Sequence, residues 1–443
     1  MTSTPKSRDP RYAYAPPRQE QQSSRPVRLL DTSTLTFAHV DQPYAILSHT
    51  WTLGTEEVSY KDVCENKHRT KAGWLKIAGA CRQAKKDGVA FLWVDTCCID
   101  KSNNSELGEA INSMFAWYQG AAVCYVHMAD VSISSAWWDD REPLRSKEVA
   151  SWKAAGYVRF SHSRWFHRGW TLQEMLAPKF VRFYAQDWAF LGALYPLRHT
   201  VSYITGVPVD ILGHQKPLSD CSIAQRLSWA AGRQVSKVED NAYSLLGILG
   251  VPLSLNYGEG AHAFIRLQEE ILKRTSELSV LAWCPSGDNK HPALLATSPA
   301  DFQDCGHVEL VPEKRASDHW MTSSGLKGSF SLVLGGSMLH YLSLNCRLNA
   351  KCPSPRPTSN QNDSVGLNAQ TPGANIYLLV RAVPTTTKQE QQPAEMIGRA
   401  MRIGESVALS ISSGRGVGSL QRVVYSSTKN PLSESNLKAT IKR

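Results

Sequence analysis

The residues most able to do chemistry gather just after short apolar runs in the first half of the chain. Ser48-His49-Thr50-Trp51 follows one such run, Asp95-Thr96-Cys97-Cys98-Ile99-Asp100 a second, and His127 closes a third. Glu174 follows later, in RGWTLQEML, where a helix would place Trp170 and Glu174 on one face as an i, i+4 pair. A carboxylate beside an indole suits a flat, cationic or sugar-linked ligand; it equally describes a surface Glu next to a core Trp. Asp95 and Asp100 can bind ribose hydroxyls or a metal, or can cap the loop and helix that follow. Arg168 can clamp a phosphate or carboxylate bidentately, or pair with a surface acid. Cys98 with His127 has the makings of a thiol and base at adjacent strand ends, against the commoner reading of an inert buried cysteine. Metal chemistry finds little support. Cys64-x3-His68 lacks a second pair, and His162 and His167 are five apart, so no zinc module is expected. Neither GxxxxGK[ST] nor GxGxxG occurs.

The elements that must carry these residues follow from periodicity. Tyr44–Ser48, Ala90–Asp95, Ala122–His127 and Phe180–Tyr184 are nearly unbroken apolar runs of strand length. Between them lie helical patterns at Lys71–Asp87, with Gly88 as its stop, at Ser105–Tyr118, and at about Gly169–Leu176, ended by Pro178. All-apolar strands alternating with helices imply an α/β fold, a parallel sheet covered on both faces. In such sheets ligands bind beyond the carboxyl ends of the strands, where the residues above are found. Residues 201–285 read as a helical segment, built from Ser222–Ala231, Glu239–Gly250 and Gly258–Arg274. Residues 286–412 read as a β-rich domain of short alternating runs, interrupted by low-complexity loops at Pro353–Gly373 and Pro384–Pro393.

Charge is unevenly placed along the 443 residues, whose formal net charge is +10. Residues 1–27 read as a disordered basic tail and 413–443 as a basic carboxyl tail; together with Arg28 they hold nearly all the excess. A near-neutral body is no phosphate-tracking groove, so nucleic acid is not an expected partner. The start has no apolar h-region, and the best uncharged run, Asn241–Tyr257, is interrupted by Pro252 and too short to span a bilayer. Ten cysteines without framework spacing suit a reducing compartment, and a cytoplasmic protein with no membrane span is expected.

YAILSHTW (44–51), FLWVDTCCIDKSNNSELGEAINSMFAWYQGAAVCYVHMADV (91–131) and SRWFHRGWTLQEMLAP (163–178) closely resemble the fungal heterokaryon incompatibility (HET) domain. AQRLSWAAGR…VEDNAYSLLGILGVPLSLNYGEGAHAFIRLQEEIL (224–272) resembles the helical segment that accompanies it in many such proteins. The resemblance implies a HET domain over residues 28–200 with a flavodoxin/TIR-like parallel sheet, and a role in allorecognition and the programmed cell death of incompatible fusions. TIR enzymes cleave NAD with a Glu on a short helix after the third strand, in a motif where Trp170 matches the Trp and Glu174 the Glu, while Thr171 replaces a Cys. Two further departures are Thr52, with Gly54 two positions on, where the family has Gly, and Ser236-Lys237 where it has Thr-Arg.

The implied site is Glu174 as the catalytic group, with Ser48, Trp51, Asp95, Arg168 and Trp170 binding substrate and Cys98 and Asp100 as further candidates. Nicotinamide leaves NAD neutral from a cationic ring, so the paired carboxylates of ordinary glycosidases are not required. One carboxylate can hold the ribose hydroxyls and stabilise the oxocarbenium charge. Trp51 or Trp170 would stack on a base and Arg168 would meet the pyrophosphate. NAD is then a substrate, and no cofactor is expected. The alternative is a non-enzymatic HET signalling module that recruits other death effectors through Trp-rich loops. Without a nucleotide-driven motor, activation is expected from self-association or from another incompatibility protein.

Overall fold

A computed structural model describes residues 25–51, 56–132, 159–283, 294–311 and the strands that follow them as far as Lys442. The chain divides into two compact units, residues 1–165 with 173–197, and residues 166–172 with 198–443.

The first unit is built on a seven-stranded sheet in the order β2-β1-β4-β3-β5-β6-β7. The strands are β1 (Leu29–Asp31), β2 (Phe37–Ala38), β3 (Tyr44–His49), β4 (Phe91–Trp93), β5 (Val123–His127), β6 (Val181–Tyr184) and β7 (Phe190–Ala193). β4, β3, β5 and β6 run parallel, in keeping with the nearly unbroken apolar sequences of strands covered on both faces. The expectation of an all-parallel sheet is corrected at the flanks: β1 pairs antiparallel with β4, and β7 antiparallel with β6. Those strands are two to four residues long and too brief to show a period.

Every residue of β3 is buried, and strand alternation sends Tyr44, Ile46 and Ser48 to one face and Ala45, Leu47 and His49 to the other. α3 (Asn104–Gly120) covers the first face. Tyr44 donates its hydroxyl to the Trp117 carbonyl at 2.6 Å, and Trp93 meets Trp117 and Tyr118 edge-on at 5.6 and 5.9 Å. Asn103 caps α3 by accepting from the Ser105 and Glu106 amides, and Glu106 in turn anchors Arg28 and the Asp100 amide. α2 (Trp74–Lys86) covers the second face, and Gly88 ends the segment in a left-handed conformation at φ 77°. The shorter α1 (Tyr60–Cys64) precedes it, held by a Ser59/Asp62 capping box. Between β5 and β6 comes α4 (Thr171–Leu176), a six-residue helix whose residues are all buried.

The second unit packs short helices, among them α5 (Ile223–Ser228), α6 (Asp240–Tyr243), α7 (Leu246–Leu249) and α8 (His262–Arg274). Glu239 Oε1 accepts from the Gly258 and Gly260 amides at 2.7 and 3.0 Å, and both glycines take positive φ. Tyr243 donates to Glu259, which also pairs with Arg266. The motif residues of NYGEG are thus a turn tied to α6 by a carboxylate. The same unit holds a second seven-stranded sheet, β8 to β14 (Val308–Leu310, Asp318–Thr322, Gly325–Leu334, Leu339–Leu348, Asn375–Ala382, Ala394–Met401, Glu434–Lys442), in the order β8-β11-β12-β13-β14-β10-β9. β10 also pairs with β11, which joins β11, β12, β13, β14 and β10 in a ring. β14 falls within the segment read as a carboxyl tail. Residues 1–24 of the amino tail expected over 1–27, and both low-complexity loops, lie outside the described residues. Among the described residues no helix is long and apolar enough to cross a membrane.

Candidate functional site

The structure brings Ser48 and Glu174 together. The Ser48 hydroxyl donates to Glu174 Oε2 at 2.5 Å and accepts from the Trp165 indole N–H at 2.7 Å. Ser48 and Trp165 are fully buried and Glu174 is 6% exposed. Tyr118 reaches the same place: its hydroxyl donates to the Leu47 carbonyl at 3.2 Å, and burial, then the Glu174 charge, drive its pKa far up. Burial and the same carboxylate also raise the Cys124 thiol, which lies 3.8 Å from the Glu174 carbonyl. Glu174 is therefore an acid set among neutral hydrogen-bonding groups, beyond the third parallel strand and before the fourth.

Trp51 and Asp95 form a second group. The Trp51 indole donates to Asp95 Oδ2 at 2.9 Å, and the Lys101 ammonium sits 3.8 Å from the ring centroid. On the α2 face His49 stands between two carboxylates, 3.9 Å from Asp95 Oδ1 and 3.7 Å from Glu57 Oε2, beyond hydrogen-bond reach. Neither ring nitrogen of His49 has a hydrogen-bond partner among the described residues. Lys76 completes the cluster by bonding Glu57 and the Thr50 carbonyl. Burial works to raise the Glu57 carboxyl, yet His49 and Lys76 outweigh it and hold the group well below the carboxylate range.

Arg168 and Trp170 make their bonds in the second unit. Arg168 donates to the Ser236 hydroxyl at 3.3 Å, and the Trp170 indole bonds Asp240, whose pKa burial nonetheless raises. Asp100 accepts from the amide and hydroxyl of Ser102 at 3.0 and 2.6 Å, the geometry of a turn cap. The Cys98 thiol is buried against the backbone of Leu92 and Val94. The strands leading to Cys98 and His127 are not neighbours, because β3 runs between β4 and β5. Among the described residues no group of three His, Cys, Asp or Glu could hold a metal ion.

Trp165, Tyr118, Glu57 and Lys76 are site residues that sequence reasoning passed over. His49 and Trp165 sit inside the quoted motifs, but nothing in a one-dimensional pattern says that they fall on opposite sheet faces.

Four parallel strands with helices on both faces, and polar side chains collected at their carboxyl ends, define an α/β domain with a candidate site at the strand ends. The model of the family "Heterokaryon incompatibility protein (HET)" matches residues 44–174, from the first residue of β3 to the carboxylate residue of α4. Over that stretch the chain is similar to the HET domain. It is similar to the "Vegetative incompatibility protein HET-E-1" of Podospora anserina, 48% identical over 232 residues that make up 52% of this chain and 16% of that protein. The matched stretch thus spans about a sixth of that relative's length. No solved structure matches the chain.

Proposed function

We propose that this protein acts in heterokaryon incompatibility and triggers cell death by hydrolysing NAD at Glu174. The observation that carries the reading is the Ser48–Glu174 hydrogen bond, which holds a carboxylate beside the carboxyl end of β3. The parallel strands follow the order second-first-third-fourth, as in flavodoxin-like sheets, and this supports the TIR-like reading. In the reaction Glu174 holds the ribose hydroxyls of the nicotinamide riboside and faces the positive charge that grows as the C–N bond breaks. Nicotinamide departs with the bonding electron pair, and water adds to the sugar carbon. Ser48 orients the carboxylate, and Trp165 orients Ser48. Self-association or a second incompatibility protein starts the reaction, in a cytoplasmic setting.

The test is NAD loss and nicotinamide release by the purified full chain, beside Glu174→Ala and Glu174→Gln. Both variants should lose about 10²-fold or more in rate. An Ala variant that consumes NAD and kills at the normal rate sinks the assignment.

The second reading is a signalling module that recruits other death effectors, and one observation favours it. Glu174 is 6% exposed with its carboxylate already bonded to Ser48, as a purely structural acid would be. Under this reading NAD stays flat while killing persists.

A further inference from the structure

On the α2 face of the first unit, away from Glu174, a cleft of about 350 Å³ opens between α2 and the turn joining β6 to β7. That volume suits a small organic ligand rather than a water or a single ion. Three features of its wall point to an occupant. First, His127 lines the cleft at 4% exposure, and its Nε2 lies 3.1 Å from the Gln186 carbonyl. A carbonyl only accepts, so Nε2 carries the proton and Nδ1 is a bare lone pair. Nδ1 is buried and has no partner among the described residues. Burial holds the imidazole down to about 4, so the ring stays neutral near pH 7. Second, Trp188 occupies the left-handed region at φ 68°, a position that favours Gly or Asn over a bulky aromatic. Such strain persists where the surroundings hold the side chain in place. Here its indole lies on α2 where Gly79 leaves room, since a Cβ at Gly79 would come within 1.9 Å of the indole nitrogen. Third, the wall also includes Lys76 and Arg82. Lys76 is committed to Glu57, whereas Arg82 is exposed and has no acid partner among the described residues. Asp187, the acid of the wall, has its carboxylate accepting from the Ala189 amide at 3.1 Å.

The wall asks for a hydrogen-bond donor inside, a flat apolar body against Trp188 and Leu75, and an anion at the mouth. We propose that the cleft binds a nucleoside monophosphate whose base bears an exocyclic amino group, the amine donating to His127 Nδ1 and the phosphate meeting Arg82. Adenosine monophosphate serves as the probe. It carries no nicotinamide bond, so the outcome does not depend on whether the protein cleaves NAD. Calorimetric titration of the full chain should show AMP binding. Arg82→Glu, an exposed change that leaves the core intact, should weaken it by about tenfold or more. Gly79→Ala, which evicts the indole, should weaken it similarly. Inosine monophosphate sets a carbonyl against the Nδ1 lone pair and should bind about tenfold less tightly than AMP. Glu174→Gln should bind AMP as the unaltered chain does. The proposal is overturned if AMP fails to bind at millimolar concentration, if Arg82→Glu leaves binding unchanged, or if inosine monophosphate or inorganic phosphate binds as well as AMP.

Discussion

Ser48 and His49 are neighbours in sequence and lie in opposite chemical worlds. On the Ser48 face the groups that meet Glu174 are neutral donors already engaged in hydrogen bonds, packed under α3 and α4. On the His49 face, under α2, charges of both signs collect, and both ring nitrogens of His49 and Nδ1 of His127 are buried without a hydrogen-bond partner among the described residues. Buried polar groups are nearly always satisfied, so the two faces are built for different purposes. The first holds one carboxylate still. The second keeps binding capacity open. The contrast separates positioning from reception within one six-residue strand.

The contrast can be broken most severely at Trp165. Trp165→Ala removes a fully buried indole and the donor to Ser48, and should cost about 3–5 kcal/mol, read as a fall in denaturant midpoint. Glu57→Gln is the matching change on the other face. It leaves Lys76 buried without its acid and should cost about 3 kcal/mol at neutral pH. Because the folded Glu57 pKa is depressed, its stabilisation is present above the unfolded value of about 4.3 and is lost as pH falls below it. The gap between Glu57→Gln and the unaltered chain should therefore close in acid. A gap that is constant with pH would refute the charge argument.

Ser48→Ala should cost about 1–3 kcal/mol, by stripping partners from both Glu174 and the Trp165 indole. His127 is held neutral to about 4, below the roughly 6.5 of the unfolded chain. The unfolded state binds more protons in that window, so stability should rise with pH between about 4 and 6.5. His127→Phe should flatten this limb of the stability profile. The smallest effect is expected at the exposed rim, where Lys101→Ala removes only a cation above Trp51, about 0.5 kcal/mol.

Much of the first unit was legible before any coordinates. The runs that form β3, β4, β5 and β6 are apolar along most of their length, and the stops at Gly88 and Pro178 are local chain chemistry. β1, β2 and β7 were not legible, because strands so short exist by pairing with a longer neighbour. The helix expected over Glu239–Gly250 is two pieces, α6 and α7, broken near Ser244, whose hydroxyl donates back to the Asp240 carbonyl at 2.6 Å. The chemistry of the candidate site was legible as residue types at strand ends. Its partition was not: Arg168 and Trp170 bond within the second unit, while Ser48, Trp51, Asp95 and Glu174 belong to the first.

By itself, the sequence determined that this protein has an α/β core with polar residues at the strand ends, because strand length, helix stops and apolar runs are properties of short stretches of chain. It also carried the motifs by which the HET domain is known. Only the tertiary structure decided which side chains meet. The Ser48–Glu174 bond joins residues 126 positions apart, and the pairing of His49 with His127 across β3 and β5 depends on strand order. Sequence spacing says which face a residue takes relative to its neighbours. What waits on that face is set by long-range packing, which no local pattern encodes.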